Sequence, residues 1–170
     1  MIKFYVLIIA FLVQAAYSQK DVFSVSRSGS VSEMEMLYKQ HREIINTTNE
    51  NGYSPLILAC YRSNIPVVKF LIEKGADINK VSDMGTALMA ATVKKNLEVV
   101  QLLLDKKADP NITDPNGTTA LIYAVQFNAP EILKLLLQYK ADKNLKDKSG
   151  KTAFEYAVFA GNEAIINLLK

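Results

Sequence analysis

Histidine and cysteine, the residues most often recruited for nucleophilic or metal chemistry, occur once each, as His41 and Cys60. A histidine acting as catalyst or ligand needs partners, and no second histidine exists, so His41 reads as a surface side chain. Cys60 directly follows Ala59 in an apolar stretch and reads as a small buried hydrophobe; the alternative is a reactive or intermolecular thiol. The aspartates Asp77, Asp109 and Asp142 could pose as an acid pair for proton transfer. They return at steps of 32 and 33 residues, and so regular a return belongs to a turn. The chain has no glycine-rich phosphate loop and no Cys/His cluster. It reads as non-enzymatic, with no catalytic residue, metal or cofactor expected.

Length and composition bound the elements that could carry any site. The 170 residues fit one compact domain or one short repeat array. Apolar residues make up 49% and charged residues 22%, which argues against disorder. A net charge of +3, with acids among the bases and no long basic stripe, gives no footprint for nucleic acid. A single cysteine forms no internal disulfide, so stability must come from packing.

The first eighteen residues differ from the rest. One cation, Lys3, precedes an apolar run from Phe4 to Val13, and small residues follow at Ala15, Ala16 and Ser18. Ala16 and Ser18 have the spacing signal peptidase reads, so residues 1–18 are expected to be a signal peptide cleaved before Gln19. The run is shorter than the roughly 20 residues of a spanning helix, and no cysteine lies near the cleavage point. Export without a stable membrane anchor is therefore expected.

The rest of the chain repeats. Leu56 has counterparts in Leu88, Leu121 and Phe154, at steps of 32, 33 and 33 residues. Three residues after each anchor stands an alanine (Ala59, Ala91, Ala124, Ala157), and fifteen after each a leucine (Leu71, Leu103, Leu136, Leu169). Asparagines follow at 79, 111 and 144, and a glycine precedes each anchor at 52, 85, 117 and 150. Agreement at one period marks a stacked array. Each unit reads as a short helix opened by Ser or Thr, whose hydroxyl can cap the first turn. A second helix with apolar residues at helical spacing follows, as in Val67, Val68, Leu71 and Ile72. Pro66 and Pro130 fit its first turn, with Asn64 and Asn128 as expected caps before them.

The stretches "NENGYSPLILAC", "DPNGTTALIYAV", "DKSGKTAFEYAV" and "IPVVKFLIEKGADIN" resemble the ankyrin repeat signature. That resemblance implies an all-α repeat solenoid, each unit a helix-turn-helix plus a β-hairpin loop, in about five units. It makes Ala-Asp-x-Asn the corner where the second helix ends. There Ala76, Ala108 and Ala141 would fit against the helix pair. Asp77, Asp109 and Asp142 would hold neighbouring loop backbone, and Asn79, Asn111 and Asn144 would satisfy turn amides. The expected division is a signal peptide (1–18), an N-terminal capping repeat with a polar outer face (19–48), full repeats (49–80, 81–112, 113–145) and a C-terminal capping repeat (146–170). Three departures stand out. The family's histidine after the anchor is replaced by Ile57, Met89, Ile122 and Glu155, so its hydrogen bonds must be missing or replaced. Lys107 and Lys140 replace a helix-ending glycine, at a cost of about 1 kcal/mol if the backbone is left-handed there. One residue is missing between Gly85 and Thr86, so that hairpin should be shorter or distorted.

The resemblance also implies where a protein partner docks, on a concave face of hairpin tips and first helices. The residues at those positions are Tyr53, Met84, Asn116 and Lys151 in the tips, and Tyr61, Arg62, Val93, Lys94, Gln126, Phe127, Phe159 and Ala160 five and six past the anchors. Tyr53, Tyr61, Phe127 and Phe159 would make an aromatic track of the kind that forms binding hot spots; alternatively some of these rings pack on neighbouring repeats. The expected function is a monomeric scaffold binding another protein in a bacterial periplasm, as exported relatives are thought to assist stress-related enzymes or neutralise toxins. The alternative is a secreted effector that binds a host protein. Asn46, Asn111 and Asn116 each begin an N-x-Thr sequon. A glycan on the turn residue Asn111 would disturb its corner, which weighs toward a bacterial protein.

Overall fold

The computed structural model describes residues 21–170; the expected signal peptide lies outside them. Among the described residues ten α-helices follow in pairs: α1 (Val22–Ser28) and α2 (Val31–Gln40), α3 (Pro55–Tyr61) and α4 (Ile65–Glu73), α5 (Ala87–Val93) and α6 (Leu97–Asp105), α7 (Ala120–Gln126) and α8 (Pro130–Gln138), α9 (Ala153–Phe159) and α10 (Glu163–Leu169). A 3-10 turn, Arg42–Asn46, follows α2. The first helices stack α1 on α3 on α5 on α7 on α9, and each second helix packs behind its own partner. Among the described residues no helix is long and apolar enough to cross a membrane.

Each first helix starts for the same reason. The side chains of Ser54, Thr86, Thr119 and Thr152 accept from the amide three residues on, at 3.2–3.3 Å, which satisfies an otherwise orphaned donor. The alanines Ala59, Ala91, Ala124 and Ala157 are fully buried, and their size lets adjacent helices approach. The leucines Leu71, Leu103 and Leu136 are fully buried too, within one apolar cluster that runs from Val25 to Leu169. Cys60 is buried in that cluster, and loss of water around it pushes its thiol pKa far up.

Two expected caps are corrected. Asn64 precedes α4 but caps nothing; its Nδ2 donates to the carbonyls of Ser26 (3.3 Å) and Gly29 (2.9 Å), tying the first unit to the second. Asn128 sits at φ 49°, one residue before the true N-cap Ala129, and its Oδ1 accepts from Asn162 Nδ2 at 2.9 Å. The capping asparagines are Asn96 and Asn162, which accept from Val99 and Ile165. The anchor column also changes at its last member. Leu56, Leu88 and Leu121 are buried, whereas Phe154 is 37% exposed, because α9 has no further described helix on its outer side.

The Ala-Asp-x-Asn corner is confirmed, with the two polar residues in exchanged roles. Asp77, Asp109 and Asp142 accept from the amides of Asn79, Asn111 and Asn144 in their own loops, at 2.9–3.0 Å. The asparagines reach across: Asn79 Oδ1 accepts the Asp109 amide at 2.9 Å, and Asn111 Oδ1 the Asp142 amide at 2.7 Å. Asn46 Oδ1 does the same for the Asp77 amide at 2.8 Å, so the ladder begins in the degenerate first unit. Geometry explains the exchange. A side chain two residues back is already close to its own loop's amide, while the longer reach to the next unit falls to the residue at the far end of the turn.

The hairpins are short, with isolated bridges at Ser82–Gly85 and Thr113–Thr119. The Ser82 tip is the tight one that the missing residue predicts: Ser82 and Gly85 exchange both amide-to-carbonyl bonds, at 3.0 and 2.9 Å. The lost family histidine is replaced in part. Glu155 accepts from the Thr152 amide at 2.6 Å, and Met89 Sδ from the Thr86 amide at 3.5 Å, both within their own units. Ile57 and Ile122 are simply buried.

Lys107 and Lys140 do adopt left-handed backbone, at φ 67° and 64°, where Gly75 has φ 88°. A side chain there crowds the following carbonyl, and glycine is the favoured residue just past a helix end. Lys107→Gly and Lys140→Gly are each expected to stabilise the protein by about 1 kcal/mol. Thermal denaturation checks this; a midpoint that falls in either variant would refute it.

Candidate functional site

One repeated position builds the face of the first helices that meets the hairpin tips. Two residues after each anchor stand Leu58, Ala90, Tyr123 and Tyr156, on the side of the first helices that faces the hairpin tips. Tyr123 reaches its tip and donates its hydroxyl to Asp114 Oδ2 at 2.7 Å; Tyr156 donates likewise to Asp147 Oδ2. Alanine at 90 cannot reach, so a depression opens between the second and third tips.

That depression holds about 330 Å³ and is walled by Tyr61, Met84, Val93 and Phe127, with Asp83 at its edge and Asp114 at its base. A second one of about 190 Å³ lies toward the N-terminus, lined by Tyr53, Ile57, Leu58, Tyr61 and Met84 together with Arg27 and Arg62. Tyr61 and Met84 wall both, so the two form one trough across the first three tips.

Expected site residues divide between trough and periphery. Tyr53, Tyr61, Arg62, Met84, Val93 and Phe127 line it, as does Asn116. Tyr53, Tyr61 and Val93 are half-buried, and Tyr53 and Tyr61 lean on the core. Lys94 holds its ammonium 5.1 Å from the centre of the Tyr61 ring, a cation–π contact that steadies the wall. Phe127 is exposed and tilted against Tyr123, with ring centres 6.2 Å apart. Gln126, Lys151, Phe159 and Ala160 are exposed outside the trough. Phe159 is 86% exposed, and Lys151 Nζ lies 5.5 Å from its ring and from that of Tyr156. The aromatic track therefore reads as Tyr53, Tyr61, Phe127, and then a gap before Phe159. His41 is exposed, with Nδ1 3.3 Å from Glu43 Oε1. Among the described residues no three His, Cys, Asp or Glu side chains are grouped to hold a metal.

Sequence reasoning missed Arg27, Ile57, Leu58, Asp83, Ala90, Asp114 and Tyr123. The column two residues past the anchor was the available signal for three of them, because a lone alanine between larger neighbours predicts a gap. Asp114 and Asp147 share another signal, the tip position also held by Asn49 and Ser82. Asp114 Oδ1 accepts from the Asn116 and Thr118 amides, both at 2.8 Å. Burial first, and then the bond to Asp114, push the Tyr123 hydroxyl up to about 12, so it stays a donor at neutral pH.

Asp147 has a matching cradle: the Tyr156 and Ser149 hydroxyls, with the Lys151 and Ser149 amides, hold its carboxyl at about 2, below the usual 3.8. A depressed folded-state pKa contributes stability that is full above the unfolded value and is lost as pH falls through the folded one. The melting-temperature advantage of wild type over Asp147→Asn is therefore expected to hold at pH 5 and to shrink as pH falls from about 4 toward 2. An advantage that grows on acidification would contradict it.

The fold is thus a solenoid of helix pairs with an apolar trough on its tip side, the architecture of a repeat protein built for surface recognition. The family model for ankyrin repeats (3 copies) matches residues 22–114 and 88–170, and the chain belongs to the ankyrin repeat family. Ankyrin repeats generally mediate protein–protein interaction. The chain is 33% identical over 113 residues to ankyrin repeat and SAM domain-containing protein 6 of Rattus norvegicus, across 65% of this chain and 13% of that protein. It is 37% identical over 62 residues to alpha-latrocrustotoxin-Lt1a of Latrodectus tredecimguttatus, across 36% of this chain and 4% of the toxin. It is 37% identical over 60 residues to palmitoyltransferase akr1 of Emericella nidulans, across 35% of this chain and 8% of that enzyme. The chain thus spans a small part of the length of each of these relatives.

Proposed function

We propose that the chain is a non-enzymatic, monomeric scaffold that captures a protein partner in the trough on its concave face. One observation carries this: two depressions with aromatic and aliphatic walls adjoin through Tyr61 and Met84. Rings at such positions remove much apolar area from water when covered, and Tyr is favoured at binding hot spots. The trough stands on helices whose inner faces are buried, so little order has to be created on binding. The apolar leader of residues 1–18 supports export. Periplasmic residence, beside a stress-response enzyme or a toxin, is the location we propose. The test is affinity capture from the periplasmic fraction with wild type and with Tyr61→Ala/Phe127→Ala, after melting curves establish that both are folded. Wild type should retain a protein that the double variant loses; equal recovery overturns the assignment. Fractionation that finds the chain in the medium rather than the periplasm overturns the location alone.

A further inference from the structure

The N-terminal half of the trough is polarised. Arg27, in the last turn of α1, and Arg62, at the C-terminal cap of α3, both line the depression with Tyr53, Leu58, Tyr61 and Met84. Among the described residues no carboxylate lines it. Among the described residues neither guanidinium has a hydrogen-bond or ion-pair partner; the acid–base pairs are Lys39–Glu35, His41–Glu43 and Lys69–Glu98, all elsewhere. Two arginines thus line one largely apolar niche that holds no carboxylate among the described residues. Guanidinium matches a carboxylate in a planar, two-point geometry, and low-dielectric walls strengthen that pairing.

The adjoining depression has the opposite sign. Asp83 stands at its edge, exposed, and Asp114 lies at its base. An acid seated there meets like charge, which costs affinity and rejects the wrong register. The two halves therefore distinguish the ends of whatever lies along them.

We propose that the trough takes an extended segment of a protein partner whose aspartate or glutamate side chain seats between Arg27 and Arg62. An apolar neighbour of that acid lies against Tyr61 and Met84, and the segment continues toward Phe127. This rests on the concave-face reading above and names the chemistry of its partner.

The probe is a phage-displayed library of random nonapeptides, selected on the immobilised full chain. Three proteins are compared: wild type, Arg27→Gln/Arg62→Gln, and Tyr61→Ala/Phe127→Ala, each first confirmed as folded by its melting curve. Wild type is expected to enrich peptides with Asp or Glu at one fixed position beside an apolar residue. One such peptide, made synthetically, should bind the arginine variant at least tenfold more weakly. Its Glu→Gln or Asp→Asn form should bind wild type at least tenfold more weakly. The two losses should not add when combined, because each removes the same contact. Enrichment without an acidic position, with binding still lost in the tyrosine–phenylalanine variant, overturns the acid seat and leaves the concave-face reading standing. Binding that survives in the tyrosine–phenylalanine variant overturns that reading instead. A wild-type selection that enriches nothing overturns the acid seat.

Discussion

Leu103→Ala is expected to lower the stability of the array by about 2–5 kcal/mol, the range for emptying a fully buried leucine site. For a chain of this size that is a drop of about 2–4 °C in melting temperature for each kcal/mol. Leu103 is fully buried on α6, which packs against α5 of its own unit and α8 of the next. In a stacked array each unit contacts only its neighbours, so a cavity in the middle weakens joints on both sides. Leu169 occupies the same column in the last described unit and is also buried, but no described unit follows α10 to share the cavity. Leu169→Ala should therefore cost less than Leu103→Ala. Phe159→Ala, at an 86% exposed position, should stay within about 0.5 kcal/mol of wild type. Urea unfolding of the three variants tests the set; Leu103→Ala and Phe159→Ala melting together would refute the stacked core.

The second large effect is expected at a backbone rather than a side chain. Gly117 has φ 77°, and a Cβ built there would lie 3.1 Å from Asp147 Cα and 3.1 Å from Lys148 N. Both are backbone atoms of the next tip, held close because the Lys148 amide donates to the Asn116 carbonyl at 2.9 Å. Gly117→Ala thus adds a collision to the left-handed strain, for a combined loss of roughly 2–3 kcal/mol. Gly150 is the control. It has the same φ of 77° with nothing within 4 Å, so Gly150→Ala should show the strain alone, about 1 kcal/mol. Equal losses in the two variants would show that the tips are not in contact. The larger loss should also reach the trough, because Asn116 lines it.

The period of the chain was legible because it is written by buried residues. Leu71, Leu103 and Leu136, and the alanines three past each anchor, have no freedom to vary without opening a cavity, so spacing alone placed them. The caps Ser54, Thr86, Thr119 and Thr152 were legible for a local reason, a hydroxyl three residues from the amide it serves. What was not legible depends on pairs from different units. Asn64 looks like a cap in isolation, and only the approach of α1 makes it a tether to Ser26 and Gly29. Asn46 lacks the Ala-Asp signature before it, yet it meets the Asp77 amide because the corner comes back to the same place. The trough was half legible. Tyr61 and Phe127 follow from their offsets, but the gap between them needs Ala90 set beside Tyr123. Arg27 comes from a unit whose pattern is too worn to align by spacing.

The asparagine ladder has a consequence for how such a molecule can change its size. Asn46, Asn79 and Asn111 make one and the same joint, an amide oxygen to the backbone of the following corner. A segment copied or excised over a whole period would present identical fittings at both of its cut ends. Lengthening or shortening then requires no new vocabulary of contacts, only another instance of the old one, and the reach of the recognition surface becomes a matter of counting.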